Sequence, residues 1–214
     1  MKVTYSIALC AILLFGCKKE EVQEDQVIYV GQYPLLSSSA ENFPYNDSLT
    51  EFTFTDNLNN DIKASTTAID HHFTNTYQSA NDYNSNPSLF IEYINESYRT
   101  TLSIPSLNKE IKIEAFVSVD VTDYESIKYA DILKVYHTDI TSSKQQMVIV
   151  LDERTRPNGF PEASVPDSSL TINGKTFTNV YSNKVDKAFI IYFNLEEGVV
   201  GFKDNTAGLI YNLK

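Results

Sequence analysis

The chain reads as a mainly β protein: a single antiparallel β domain, either a β-sandwich or an incomplete β-barrel, with at most one or two short helices. Three observations predict this. Tyr and Phe number 14 and 12, whereas Trp is absent and Met occurs twice, and aromatic with β-branched residues favour sheet. Period-two alternation recurs along the chain, most clearly from Glu110 to Asp120. Turn-forming clusters separate these runs, the sharpest being Asn173-Gly174, a strong type I′ hairpin signal.

The domain is expected to span residues 43–214, beginning near Phe43-Pro44-Tyr45. Leu49, Phe52 and Phe54 precede the turn-rich run Asp56 to Asp61, and Ile62 to Ile69 returns as the second arm of a hairpin. Residues 70–88 are polar and rich in Asn, Ser and Tyr, and read as a long loop. Leu89 to Ile94 and Tyr98 to Ile104 read as two strands broken at Asn95-Glu96-Ser97. In the run from Glu110 to Asp120, Ile111, Ile113, Ala115, Val117 and Val119 share one face, and Phe116 is the apolar exception on the other.

Residues 122–137 carry two patterns. Thr122-Asp123-Tyr124-Glu125 matches a helical capping box, yet Ile127, Tyr129, Asp131, Leu133 and Val135 alternate with Lys128 and Lys134. The aromatic and β-branched content favours strand for 129–137. Met147 to Leu151 reads as a buried strand, and Asp152 to Asp167, with three prolines and a glycine, as an irregular loop. The remainder is a meander of short strands: 170–172, 176–181, 188–193, 199–203 and 209–213.

The amino-terminal end has a different character. Met1-Lys2 is followed by the apolar run Ile7 to Phe15. That is the length of a signal-peptide core and about half of what a membrane-spanning helix needs. Leu14-Phe15-Gly16-Cys17 resembles the lipobox of bacterial lipoproteins, which implies residues 1–16 as a signal peptide. Leu14 and Gly16 would be the peptidase-recognition positions, and Cys17 the thiol that receives diacylglycerol and palmitate-type chains. Residues 17–42 are then the lipidated cysteine and a flexible tether, within which Val27 to Val30 reads as an edge strand or a sticky patch. Each buried acyl CH₂ contributes about 0.8 kcal/mol, so two or three chains hold a protein on a bilayer.

Lys18-Lys19-Glu20-Glu21 resembles the export tag of Bacteroidota-type surface lipoproteins. Lys19, Glu20 and Glu21 would direct the protein to the outer membrane and the cell surface, with the periplasmic face as the alternative. Asp47-Ser48-Leu49 resembles the O-glycosylation sequon of the same group, with Ser48 as acceptor. The carboxy-terminal stretch from Phe177 to Leu213 is similar to a β module of uncharacterised lipoproteins of that group. Its Tyr192-Phe193 pair and Gly198 also resemble the strand turn of half-barrel periplasmic lipid carriers.

Composition excludes some functions. The formal net charge is −11, with no Lys/Arg stripe to neutralise phosphates, so nucleic acid is not an expected partner. Of the two cysteines, Cys10 leaves with the leader and Cys17 is blocked by lipid. No thiol then remains for a disulfide or a nucleophile.

Four clusters are the candidates for chemistry. Asp70-His71-His72 and His137 hold the three histidines; neighbours on a strand would face opposite ways, and in a loop the pair would still need a third ligand, so no metal is expected. Asp152-Glu153-Arg154 with Arg156 reads as a surface salt network, and any hydrolase site would start from Asp152, Glu153 and His137. Tyr77, Tyr83, Tyr93 and Tyr98 are candidates to line a glycan or peptide groove. The reading is an anchored lipoprotein with a non-enzymatic binding or structural role and no cofactor. A half-barrel carrier of a lipid or other apolar ligand is the alternative, and a surface hydrolase the second alternative.

Overall fold

The structure, a computed structural model, describes residues 25–45, 48–79, 89–123, 125–138, 146–155, 162–183 and 188–214. It is mainly β: one curled, almost wholly antiparallel sheet forms a half-barrel. The strands are β1 Gln26–Tyr33, β2 Glu51–Asp56, β3 Asp61–Thr66, β4 Asp70–Ser79, β5 Leu89–Ile104, β6 Lys109–Asp120, β7 Lys128–His137, β8 Met147–Asp152, β9 Asp167–Ile172, β10 Lys175–Ser182, β11 Phe189–Asn194, β12 Gly198–Asp204 and β13 Leu209–Leu213. A five-residue helix α1, Ser37–Glu41, and a 3₁₀ turn, Pro105–Leu107, complete the described elements.

The strand order is β8-β7-β6-β5-β3-β2-β13-β12-β11-β10-β9. The chain thus closes its two halves through β2 and β13, where Phe54, Thr55 and Asp56 pair with Leu213, Asn212 and Tyr211. β6 carries the expected alternation, with Ile111, Ile113, Ala115 and Val117 turned to the core. Phe116 lies on the opposite side, with the Lys134 ammonium 4.8 Å from its ring centre. Residues 128–137 take the strand alternative, and Asp120 Oδ1 accepts from Thr122 N and Oγ1 where a helical cap was the competing pattern.

Three stretches depart from the sequence reading. Residues 70–79 form a strand, not a loop, and 80–88 lie outside the described residues. Positions 95–97 do not interrupt the strand: β5 runs unbroken for 16 residues. The third is the expected tether: within it the Val27–Val30 island takes the edge-strand alternative, so sheet begins before residue 43. β1 pairs with β5 from Gln26–Leu89 to Tyr33–Asn95, in parallel. Ile28 and Val30 pack with Ile91 and Val121 in a small apolar cluster, and that burial turns part of the expected tether into sheet.

The length of β5 explains the architecture. Its carboxy-terminal half lies inside the half-barrel between β6 and β3. Its amino-terminal half runs out between β1 and β4. This makes a three-stranded tongue, β1-β5-β4, continuous with the main sheet.

At the other end β10 breaks at Asn179, where φ is 51°. The β9–β10 hairpin there folds back over the outer face of β12 and β13, and Ile172, Phe177 and Val180 cover Val200. Its turn is Asn173-Gly174, with φ of 46° and 83°, the positive pair a type I′ turn requires. The Asn173 side-chain amide donates to the carbonyl of Ile210 at 2.8 Å and pins the flap.

The concave side is filled by side chains. Phe54, Phe189 and Phe202 are fully buried; Phe189 and Tyr211 stack on Phe202 and Phe54 tilts against it, with ring centres 4.7–5.4 Å apart. A strap formed by residues 34–45 crosses the same space. Leu35 and Phe43 join the core, and the Tyr45 hydroxyl accepts from Val199 N at 2.9 Å. Burial pushes the Tyr45 phenol far above its usual range, so it stays protonated.

Two buried carboxylates hold the strap. Glu96 Oε2 accepts from Leu35 N at 2.8 Å, and Asp131 Oδ2 accepts from Leu36 N at 2.9 Å. Arg154 pairs with the other Asp131 oxygen, donates to the Pro34 carbonyl at 3.1 Å, and stacks 4.6 Å from the Tyr129 ring centre.

The β2–β3 turn supplies a pH prediction. Asp56 accepts from Asn60 N, Leu58 N and Asn60 Nδ2 at 2.8–3.0 Å. The bond from Asn60 N, first among these, holds its carboxyl below the usual range despite burial. A folded pKa below the unfolded one gives stabilisation that is present above about pH 4 and fades as pH falls through the folded value. Protection of the Leu58 and Asn60 amides, taken relative to their intrinsic exchange rates, should therefore fall below that point, and Asp56→Asn should flatten the dependence.

Candidate functional site

The tongue has two unlike faces. One buries Ile91 and Tyr93 against Ile28, Val30 and Val121. The other is open. Register places Val27 and Tyr29 of β1, Phe90, Glu92 and Ile94 of β5, and Phe73, Asn75 and Tyr77 of β4 on that open side. Val27, Tyr29, Phe73 and Tyr77 are 53, 55, 46 and 59% exposed. These four are more than half of the exposed large hydrophobic residues described, and they gather on one face of one three-stranded sheet. Such concentration, unlike scattered surface apolar residues, makes this face the candidate site.

β4 supplies the ordered edge of this face. His71, Phe73, Asn75 and Tyr77 alternate outward, while His72, Thr74, Thr76 and Gln78 point the other way. From His71 to Tyr77 the row is about 20 Å long at strand rise. Its inner end is firmly built: His71 stacks on Tyr98 with ring centres 4.3 Å apart, and His71 Nε2 lies 2.7 Å from Glu96 Oε1. Tyr98 also packs 6.2 Å from Phe43 of the strap. The open face and the strap are therefore in one contact chain.

Glu92 sits at the centre of the face. Its Oε1 accepts from Asn75 Nδ2 at 2.7 Å and from the Tyr77 hydroxyl at 2.9 Å. The Asn75 bond, followed by that of Tyr77, holds the Glu92 carboxyl below its usual range, and Tyr77 is raised in turn by donating to Glu92. At neutral pH this is an oriented carboxylate with Tyr29 and Tyr77 beside it in register. No described residue donates to Oε2.

The residues singled out from the sequence fall in separate places. Of the four candidate groove tyrosines, Tyr77 is on the open face, Tyr98 lies at its buried end, and Tyr93 is on the opposite, covered face. Tyr83 lies outside the described residues, as do Leu14, Gly16, Cys17, Lys19, Glu20, Glu21 and Arg156. Ser48 is exposed just before β2, although Asp47 of its sequon is not among the described residues. His71 and His72 face apart, His71 to Glu96 and His72 to Ser97. His137 is buried edge-on against Phe189 at 5.5 Å.

Asp152 and Glu153 do not share a site with His137. Arg154 leaves that acidic pair and turns inward to Asp131. Among the described residues no three His, Cys, Asp or Glu side chains come together as metal ligands. The sequence reading passed over Phe73, Asn75 and Glu92. The signal was there in the alternation of His71, Phe73, Asn75 and Tyr77 with threonines, which is strand-like once aromatic residues are allowed to face outward.

A cleft of about 410 Å³ opens on the other surface of the sheet, beside Thr67, Arg99, Lys112 and Tyr136. Its arginine is matched internally. Arg99 Nε lies 2.5 Å from Glu114 Oε1, and Lys112 stands between Glu110 and Glu114 on the same face of β6. Burial, with Glu114 next, raises the Tyr136 phenol. Such a cleft offers neither an activated nucleophile nor an apolar chamber.

Comparison with protein-family models, with curated proteins and with solved structures finds no match for this chain. The class defined by its own coordinates is a mainly β half-barrel with an aromatic-faced, three-stranded extension.

Proposed function

We propose that this chain is a lipid-anchored lipoprotein of the outer membrane. It acts without catalysis, by binding an extended ligand on the open face of β1, β5 and β4. The observation that carries this reading is the grouping of Val27, Tyr29, Phe73 and Tyr77 around the held carboxylate of Glu92. Aromatic rings give area at small entropic cost, and the Asn and Glu groups between them give direction. The address rests on the lipobox resemblance at Leu14 to Cys17 and on the Lys19-Glu20-Glu21 tag. The carrier alternative loses support from the phenylalanines and the strap that fill the concave side.

One experiment addresses both halves. The full chain, made in a lipoprotein-exporting host and purified in detergent, should carry palmitate, and Cys17→Ala should not. On arrays of peptides and oligosaccharides the wild type should mark a subset of features. The double variant Phe73→Ser/Tyr77→Ser should reduce that signal at least about tenfold, since two central aromatic anchors together exceed 1.4 kcal/mol. Both substitutions are at exposed positions, so thermal unfolding should hardly move. Unchanged array binding by the double variant would remove the open face from the function.

A further inference from the structure

We propose that the open face is a receptor for the lysine or arginine side chain of an extended peptide, with Glu92 as counter-charge and Tyr29, Tyr77 and Phe90 as the surrounding rings. This rests on the open face being the binding surface. Charge complementarity selects the occupant. Among the described residues Glu92 is the one carboxylate on the exposed part of the face, since Glu96 at the inner end is buried and already bonded to Leu35 N, His71 and Tyr98, and no Lys or Arg stands among Val27, Tyr29, Phe73, Asn75, Tyr77, Phe90, Glu92 and Ile94. Glu92 is already oriented, because both protein donors reach Oε1 and leave Oε2 to an incoming donor.

An ammonium or guanidinium group at Oε2 would meet aromatic faces on neighbouring strands, the arrangement in which cations gain from ring quadrupoles. The net charge of −11 draws basic partners in and repels acidic ones. A second copy of the chain is a poor occupant, since a two-fold contact centred on this face would set one Glu92 carboxylate against another. The row from His71 to Tyr77, about 20 Å long, suits a chain with the backbone extended better than an isolated amine.

The test is an NMR titration of the ¹⁵N-labelled full chain in detergent with an acetylated, amidated pentapeptide, Gly-Ser-Lys-Ser-Gly. The side-chain amide of Asn75 and the backbone amides of Tyr77 and Glu92 should shift. Affinity should fall about threefold to thirtyfold when the lysine is acetylated, or when Glu92→Gln is used, as expected for an exposed charge pair with cation–π contact. Raising NaCl should weaken it as well. Equal affinity for the acetylated peptide, or no shift at all with the lysine peptide, would overturn the proposal, and equal affinity for butylamine would overturn its peptide part. A neutral oligosaccharide that binds in a Phe73- and Tyr77-dependent way, while the lysine peptide does not, would refute the cation receptor and leave the open face as the binding surface.

Discussion

Asp131→Ala should lower stability by about 3–5 kcal/mol, the cost of stranding one partner of a buried ion pair, and should lower Tm by roughly 10 °C for a chain of this size. Asp131 has no exposed surface. Its two oxygens serve Arg154 and the Leu36 amide, so the substitution leaves a guanidinium with little solvent access and an amide with no acceptor. The loss should be local as well as global. Amides of Leu35 and Leu36 should lose exchange protection before those of β6 and β7, because these two bonds are where the strap meets the sheet. Replacing both partners, Asp131→Leu with Arg154→Leu, should recover much of the loss, since an apolar pair removes the orphaned charge. Equal destabilisation by the single and double replacements would show that the pair does not act as a unit.

The second large effect is expected at Gly198. Its φ of 80° is one that L side chains rarely adopt, and a Cβ there would lie 2.4 Å from the Tyr45 hydroxyl oxygen and 2.6 Å from Cζ. Gly198→Ala therefore combines about 1–2 kcal/mol of left-handed backbone strain with displacement of the Tyr45 ring. Displacement also breaks the bond to Val199 N, leaving a buried donor at about 1–3 kcal/mol. The sum of roughly 2–5 kcal/mol should be visible as a lower denaturation midpoint. Tyr45→Phe should cost only the hydrogen-bond part. Gly198→Ala combined with Tyr45→Ala should cost less than the two single losses together, because the clash exists only while the ring is in place. Additive losses would contradict the crowding.

These two sites join elements that lie far apart in sequence, and this explains what could be read in advance. The strands from Glu110 to Leu213 announce themselves locally. Apolar residues alternate inward, Asn173-Gly174 sets a hairpin, and each strand pairs with a neighbour in sequence. β4 hides because its polarity is reversed: its threonines lie on the covered side and its rings face out, so a search for inward apolar residues finds a loop. β1 shows only as the short island Val27 to Val30, with strand and sticky patch both open, because its partner, β5, lies more than fifty residues away and it buries only alternate side chains. Asp131 was legible as the single carboxylate in an otherwise apolar row. Its partner was not, since Arg154 stands beside two acids with which surface pairing is the simpler expectation. Glu92 became meaningful only when the register set Asn75 and Tyr77 against it.

The parallel pairing of β1 with β5 has a mechanical consequence. Tension applied from ahead of Gln26 along the strand axis loads the seven paired positions of β1 together, so the ladder resists sliding instead of peeling open one bond at a time. Past Tyr33 the same force arrives at the carboxylate clasp on residues 34–36. A body pulled at Gln26 thus meets its stiffest resistance close to the point of pull, and β1, one wall of the aromatic platform, stays seated under drag.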